Sequence, residues 1–258
     1  MTAIRYGLAA ALMVLGLAAG AQQKNLAPAN ANAGAQVPAA IDAQLRRNLE
    51  QRLPNIGKID EISRTPLQGV YEVRVGSDLF YSDAEGNYLL VNGQMLDTRA
   101  KRNLTEERQE KLLAIDFDKL PMKDAFVIVR GNGKRKLAVF EDPNCGYCKR
   151  FEASLQKVDN VTVYMFLYPI LGPDSTEKSK GHWCAKDKVK SWQDWMLKNE
   201  PPAKADSSCD VTALARNIEF GKKHKITGTP TLIFADGSRV PGAIGTPEIE
   251  KLLVAATK

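Results

Sequence analysis

The dithiol Cys145-Gly146-Tyr147-Cys148 constrains this chain more than any other feature. It follows an apolar, strand-like run over residues 136–141. It opens a helical stretch over 146–158, in which Cys148, Phe151 and Leu155 share one face. Two cysteines at a strand-to-helix junction are set one helical turn apart. The first sulfur lies among the unpaired N–H groups of the helix amino terminus, where the helix dipole favours a thiolate. Cys145 is therefore the expected nucleophile of disulfide exchange. Cys148, one turn inside and more shielded, is expected to resolve a mixed disulfide. Gly146 and Tyr147 complete the active-site loop and tune the thiolate. The same spacing serves zinc, for which His182 and Cys184 would be the remaining ligands, and it also serves a short structural disulfide. The strand-to-helix position favours redox chemistry over both, and no metal or cofactor is expected.

Gly228-Thr229-Pro230, just before the apolar run 231–235, is the second element. One reading is a trans-proline at a strand start. The sharper reading is a cis Thr229-Pro230 bond facing the dithiol, since folded proteins keep that minority isomer for a local purpose. Thr229 and Pro230 would then offer backbone polar groups to an extended substrate chain.

The amino terminus points to export. Arg5 is the only charge in residues 1–21, an apolar stretch runs from Leu8 to Ala19, and Ala19-Gly20-Ala21 supplies a small-residue cleavage site. The stretch is short for a membrane span. Outside the cytosol cysteines can remain bonded, and all 4 of them can be paired. The formal charge of +6 is small and spread along the chain, so no nucleic-acid partner is expected. Residues 22–40, rich in Ala, Asn, Gln and Pro, read as a flexible tether.

Two units follow. Residues 41–98 read as a small α+β unit. Ile41, Leu45, Leu49 and Leu53 form a helical stripe stopped by Pro54, and strands are expected over 56–62, 70–75, 79–82 and 88–91. So small a unit has a meagre core and an open sheet edge, which together predict a homodimer. Residues 99–120 are expected to form a charged linker helix, opened by Asn103 with Glu106 in a capping pattern. Residues 121–258 form the second unit. Its strands are expected over 126–130, 136–141, 161–167 and 231–235, with a hairpin turn at Gly131-Asn132-Gly133. Helices are expected over 146–158, 211–223 and 246–256, with a polar, helix-prone insert over 173–205.

In this order the pieces resemble a known family. Residues 121–258 resemble a thioredoxin-fold domain. Residues 41–258 together resemble the periplasmic disulfide isomerases of the DsbC/DsbG family. The residues that carry the resemblance are Cys-Gly-Tyr-Cys, Trp183-Cys184-Ala185-Lys186-Asp187, Ser208-Cys209-Asp210 and Gly228-Thr229-Pro230, with the first two nearer the DsbC type. The resemblance implies an α+β chain with an amino-terminal dimerisation domain and a V-shaped homodimer with a cleft between two dithiols. It implies isomerisation of wrong disulfides in misfolded or mis-oxidised exported proteins, some chaperone activity, and electrons from a membrane thiol reductase of the DsbD type. Reduction of oxidised single cysteines and a purely chaperone role are the alternatives.

Cys184 and Cys209 are the other pair. If they bond, chain entropy gives stabilisation of about 3 kcal/mol. The resemblance implies a structural disulfide; a second redox-active pair is the alternative. Thioredoxin carries a buried carboxylate six residues before its first active-site cysteine. Here that position is Val139; Glu141 and Asp142 lie closer and could relay protons, but they read as exposed carboxylates and stay outside the catalytic set.

Overall fold

The computed structural model describes residues 36–257. The expected export signal (1–21) and most of the expected tether lie outside the described residues. The end of the tether carries structure: Gln36 bridges Ser63, and the first helix, α1 (Ala39–Arg52), starts before residue 41.

In α1 only Leu45 and Leu49 of the stripe at four-residue spacing are buried, while Leu53 lies outside the helix and is exposed. They pack on an antiparallel sheet of β1 (Glu61–Arg64), β2 (Tyr71–Val75), β3 (Asp78–Ser82) and β4 (Leu89–Leu90), ordered β1-β2-β3-β4. Ile62 and Val73 face each other in the β1–β2 register. With Ile59 these side chains form a small separate core. Burial of so few apolar side chains gives limited stability on its own. The open edge is the two-residue β4, whose Leu90 is exposed and which is flanked by Tyr88 at 78% exposure and by exposed Val91.

A two-stranded ribbon of β5 (Leu96–Asp97) and β6 (Arg102–Asn103) leads into α2 (Leu104–Leu113). Asn103 caps it as expected, its side chain accepting from the Glu106 N–H at 3.2 Å. The helix is shorter than the expected linker segment 99–120, because β6 occupies its start and a 3-10 turn over Phe117–Lys119 occupies its end.

The second unit holds a five-stranded sheet, built from β7 (Phe126–Arg130), β8 (Arg135–Glu141), β9 (Val161–Leu167), β10 (Thr231–Phe234) and β11 (Arg239–Pro241). Its order is β11-β10-β8-β9-β7, with β8 and β9 parallel and the other pairs antiparallel. The expected β7–β8 hairpin does not form, since β9 lies between the two strands. The turn's hydrogen bonds explain this. Asn132 N–H donates to the Asn160 side chain and Gly133 C=O accepts from Thr162, so the turn wraps the start of β9.

Both faces of β8 are covered, and Leu137, Ala138, Val139 and Phe140 are all buried, as the interior of such a sheet requires. Leu137 and Val139 face α3 (Gly146–Leu155) and α7 (Thr246–Ala255), together with α5 (Lys188–Lys198) of the insert. Ala138 and Phe140 face the opposite layer, where Ile115, Phe117 and Leu120 of the linker pack beside Ile218 and Phe220 of α6 (Thr212–Lys223). The insert is a pair of helices, α4 (Pro173–Cys184) and α5.

Candidate functional site

The end of β8 and the start of α3 set the dithiol. Cys145 is the N-cap of α3, with its sulfur accepting from the Cys148 N–H at 3.2 Å. That donor is one of the orphan N–H groups every helix start leaves. Its position on a rigid strand-to-helix junction fixes the sulfur without a flexible loop. Both cysteines are buried thiols, not joined to each other.

The far proline comes to the same place. The Thr229-Pro230 bond is cis, and the Cys145 thiol donates to the Thr229 carbonyl at 3.2 Å. The fold thus joins Cys145, Cys148, Thr229 and Pro230. Gly146 borders open space, since an added Cβ would meet nothing within 4 Å. Tyr147 is 60% exposed, with the Arg150 guanidinium 4.2 Å from its ring centre. Tyr147, Arg150, Ser154, Ala243, Ile244 and Gly245 line a shallow cleft of about 240 Å³ beside the dithiol.

The two sulfurs are electrostatically unlike. Hydrogen bonding from Cys148 is the largest influence on Cys145 and outweighs desolvation, bringing its thiol down from 9.0 to about 6. At pH 7 it is then roughly nine-tenths thiolate. Burial pushes the Cys148 thiol far up, and the neighbouring Cys145 adds to the effect. The surroundings thus favour the thiolate at Cys145 and the thiol at Cys148.

The acids beside the dithiol differ from the sequence expectation. Glu141 and Asp142 are both fully buried, not exposed. Asp142 is a structural acid. It accepts from the N–H groups of Asn144, Ile170 and Leu171 and from the Ser175 hydroxyl, at 2.7–2.9 Å. Those bonds tie the active-site turn to the loop before α4. Glu141 lacks such backbone and hydroxyl donors, and burial first, then the neighbouring Glu152 carboxyl, raise its own carboxyl well above 4.5. The signal was present in the alternation of β8, which puts Glu141 on the face of Leu137 and Val139. A second buried acid, Glu152 of α3, was not singled out by sequence reasoning. It follows Cys148 by one turn and accepts from the Trp192 indole N–H at 2.9 Å.

Cys184 and Cys209 are bonded to each other, across 25 residues of sequence and a Cα–Cα distance of 6.1 Å. The bond ties the end of α4 to the segment before α6, where the Trp183 indole also donates to the Asp210 carbonyl at 2.9 Å. His182, weighed above as a zinc ligand with Cys184, is buried against Ser191, and burial lowers it to about 4. Trp192 is a core residue. Trp195 instead lies between the Lys149 and Lys178 ammonium groups, at 4.0 and 4.7 Å from its ring centre.

Sequence comparison agrees with this geometry. Residues 122–257 match the family model of a thioredoxin-like domain, and residues 32–106 match that of the disulfide bond isomerase protein N-terminal domain. The probable thiol:disulfide interchange protein DsbC of Bordetella parapertussis is 41% identical over 219 residues, which span 85% of this chain and 76% of the relative. The thiol:disulfide interchange protein DsbC of Escherichia coli K12 is 30% identical over 213 residues, or 80% of this chain and 86% of the relative. A disulfide interchange protein structure from Neisseria gonorrhoeae is 36% identical, covering 54% of this chain and 99% of that one with a TM-score of 0.49. Both matched domains occur in the order and at the places where the fold puts a small sheet unit and a dithiol unit, and the chain belongs to the DsbC family of thiol:disulfide interchange proteins.

Proposed function

We propose that this chain is a periplasmic disulfide isomerase acting on non-native disulfides of exported proteins, with Cys145 as nucleophile and Cys148 as resolving thiol. The observation that carries the reading is the inequality of the two sulfurs at the mouth of α3. The Cys145 thiolate attacks a substrate disulfide and forms a mixed disulfide, releasing one substrate sulfur as thiolate. A substrate thiolate then attacks that mixed disulfide and leaves with a new pairing, which restores the Cys145 thiolate. No net oxidation occurs. When the substrate is slow, Cys148 attacks instead, the substrate leaves reduced, and Cys145 and Cys148 become bonded. A membrane thiol reductase must then return them to thiols. Gly146, Tyr147, Thr229 and Pro230 line the approach of the substrate chain, and the Cys184–Cys209 bond is structural.

The amino-terminal unit makes the protein a homodimer. Its small core and the short β4 edge with exposed Tyr88, Leu90 and Val91 support that role. The enclosed surface holds partly unfolded chains, which gives chaperone activity. The export signal over 1–21 sends the chain to the periplasm.

The test is refolding of scrambled ribonuclease. The parent is expected to restore ribonuclease activity and Cys145→Ala to restore none. Activity of Cys145→Ala equal to the parent's would remove Cys145 from its role. Sedimentation of the full chain is expected to give a dimer, and Leu90→Asp a monomer that loses reshuffling. A parent monomer that still reshuffles would remove the dimer from the account.

A further inference from the structure

The arginines of the second unit fall into two kinds. Arg130, Arg135, Arg216 and Arg239 each donate to a protein carboxylate or carbonyl. Arg150 is exposed, and among the described residues its guanidinium has no hydrogen-bond or ion-pair partner. It rests instead 4.2 Å from the ring centre of Tyr147, one turn earlier on α3. A guanidinium stacked through its face keeps its N–H edge for an acceptor in the plane, and a carboxylate fits that edge with two parallel bonds. The stack also restricts the side chain before any substrate arrives, so less freedom is lost on pairing.

This guanidinium stands in the cleft beside the dithiol. Tyr147, Arg150 and Ser154 form one wall, at successive turns of α3. Ala243, Ile244 and Gly245 form the other, and no acid stands among the described residues of the lining. Two hydrogen bonds tie the second wall to the site. Gly242 N–H donates to the Pro230 carbonyl at 2.7 Å, and the Thr246 hydroxyl donates to the Ser154 carbonyl at 2.8 Å. The cleft therefore runs from the neighbourhood of Pro230, where Cys145 also lies, toward Ser154.

Resting on the dithiol-exchange reading above, we propose that Arg150 is a specificity-determining residue that selects substrate cysteines with an acidic side chain close by in sequence. A helix rises about 1.5 Å per residue, so Arg150 stands about 7–8 Å along α3 from Cys145. A substrate chain laid along the cleft covers that span in about two residues, at about 3.3 Å each. A Glu or Asp about two residues from the attacked cysteine then pairs with the guanidinium while its cysteine sulfur meets Cys145. The pair acts on capture and takes no part in proton or electron transfer. The same charge disfavours cysteines flanked by Lys or Arg, so the cleft ranks the disulfides of a misfolded chain by their flanks.

The test uses the reduced full-length protein and short peptides whose single cysteine is joined to 2-thiopyridine. The Cys145 thiolate attacks the peptide sulfur and bonds to it. Thiopyridine leaves with the electron pair of the broken bond, takes a proton from water and is read by absorbance. This leaving group has no carboxylate, so the peptide alone supplies the acid. Glu is placed two residues before or two residues after the cysteine in separate peptides. The better of the two is expected to react about fivefold faster, as a second-order rate, than its Gln counterpart, and the Lys counterpart more slowly than Gln. The Glu-to-Gln ratio should fall to about one in Arg150→Gln, and in the parent it should shrink as salt is raised. A parent ratio of one at both positions would overturn the proposal, and so would a ratio that Arg150→Gln or salt leaves in place. Glu placed about eight residues away should bring no gain. An equal gain there would assign the effect to the field of the whole protein and overturn the proposal as well. Reaction with none of the peptides would remove Cys145 from its role as nucleophile and Arg150 with it. A parent that shows the preference but cannot reshuffle ribonuclease would remove the isomerase reading and leave Arg150 in its role.

Discussion

Replacing Cys148 by Ala removes the thiol that contributes most to the acidity of Cys145 and leaves the backbone in place. The Cys145 thiol stands at about 6 against an ordinary 9.0, with hydrogen bonding from Cys148 as the largest influence. A hydrogen bond to a charged group is worth about 1.5–3 kcal/mol, and each pH unit of acidity corresponds to about 1.4 kcal/mol. Loss of the side-chain donor should therefore lift Cys145 by about one to two pH units. It should not return to 9.0, because the residue-148 backbone N–H still donates to the sulfur at 3.2 Å. The thiolate fraction at pH 7 then drops from roughly nine-tenths to about half or less. Alkylation of the reduced protein by iodoacetamide as a function of pH reads this directly. The rate of the parent should be half-maximal near pH 6 and that of Cys148→Ala distinctly higher. An inflection that stays in place, or moves toward acid, would refute the assignment of Cys148 as the donor that holds the thiolate.

The depressed Cys145 thiol also makes stability depend on pH. Between pH 6 and 9 the unfolded chain binds the proton that the folded one has lost, so the reduced parent should gain stability with rising pH across that window. Cys145→Ala should lack that slope in urea titrations, and equal slopes would contradict the account. Replacing Cys184 and Cys209 together by Ala should lower stability by about 3 kcal/mol in denaturant unfolding, by loss of the loop constraint. Dithiol reactivity should persist in that variant if the bond is structural. Gly221→Ala places a Cβ 2.5 Å from the hydroxyl of Tyr168, which is anchored by donation to the Ile226 carbonyl at 2.9 Å. Overpacking of this kind costs about 1–3 kcal/mol, readable as a lowered Tm.

The central strands were legible because their residues have little choice. The apolar run 161–167 became β9 with the same bounds, and the strand at 126–130 did likewise. The dithiol and the proline were singled out on their chemistry, whereas the pairing of Cys184 with Cys209 was implied by the family resemblance and is the bond the structure holds. Pairing order was not. Gly131-Asn132-Gly133 has the composition of a tight hairpin, yet Asn160 and Thr162, distant in sequence, claim its polar groups and bring β9 between the two strands. Glu141 and Asp142 were misread for a related reason. Two acids after an apolar strand look like its solvated end, but α3 and the loop before α4 close over them. Glu152 escaped notice because only the docking of α3 on β8 buries it and sets it beside Glu141.

The redox state of the two cysteine pairs in living cells tests the central claim most directly. Rapid acid quenching followed by thiol labelling and mass analysis reads each pair separately. Cys145 and Cys148 should be found mostly as thiols, with Cys184 and Cys209 bonded in the same molecules. A Cys145–Cys148 pair that is mostly oxidised at steady state would contradict the isomerase account and assign the chain to the oxidation of other proteins.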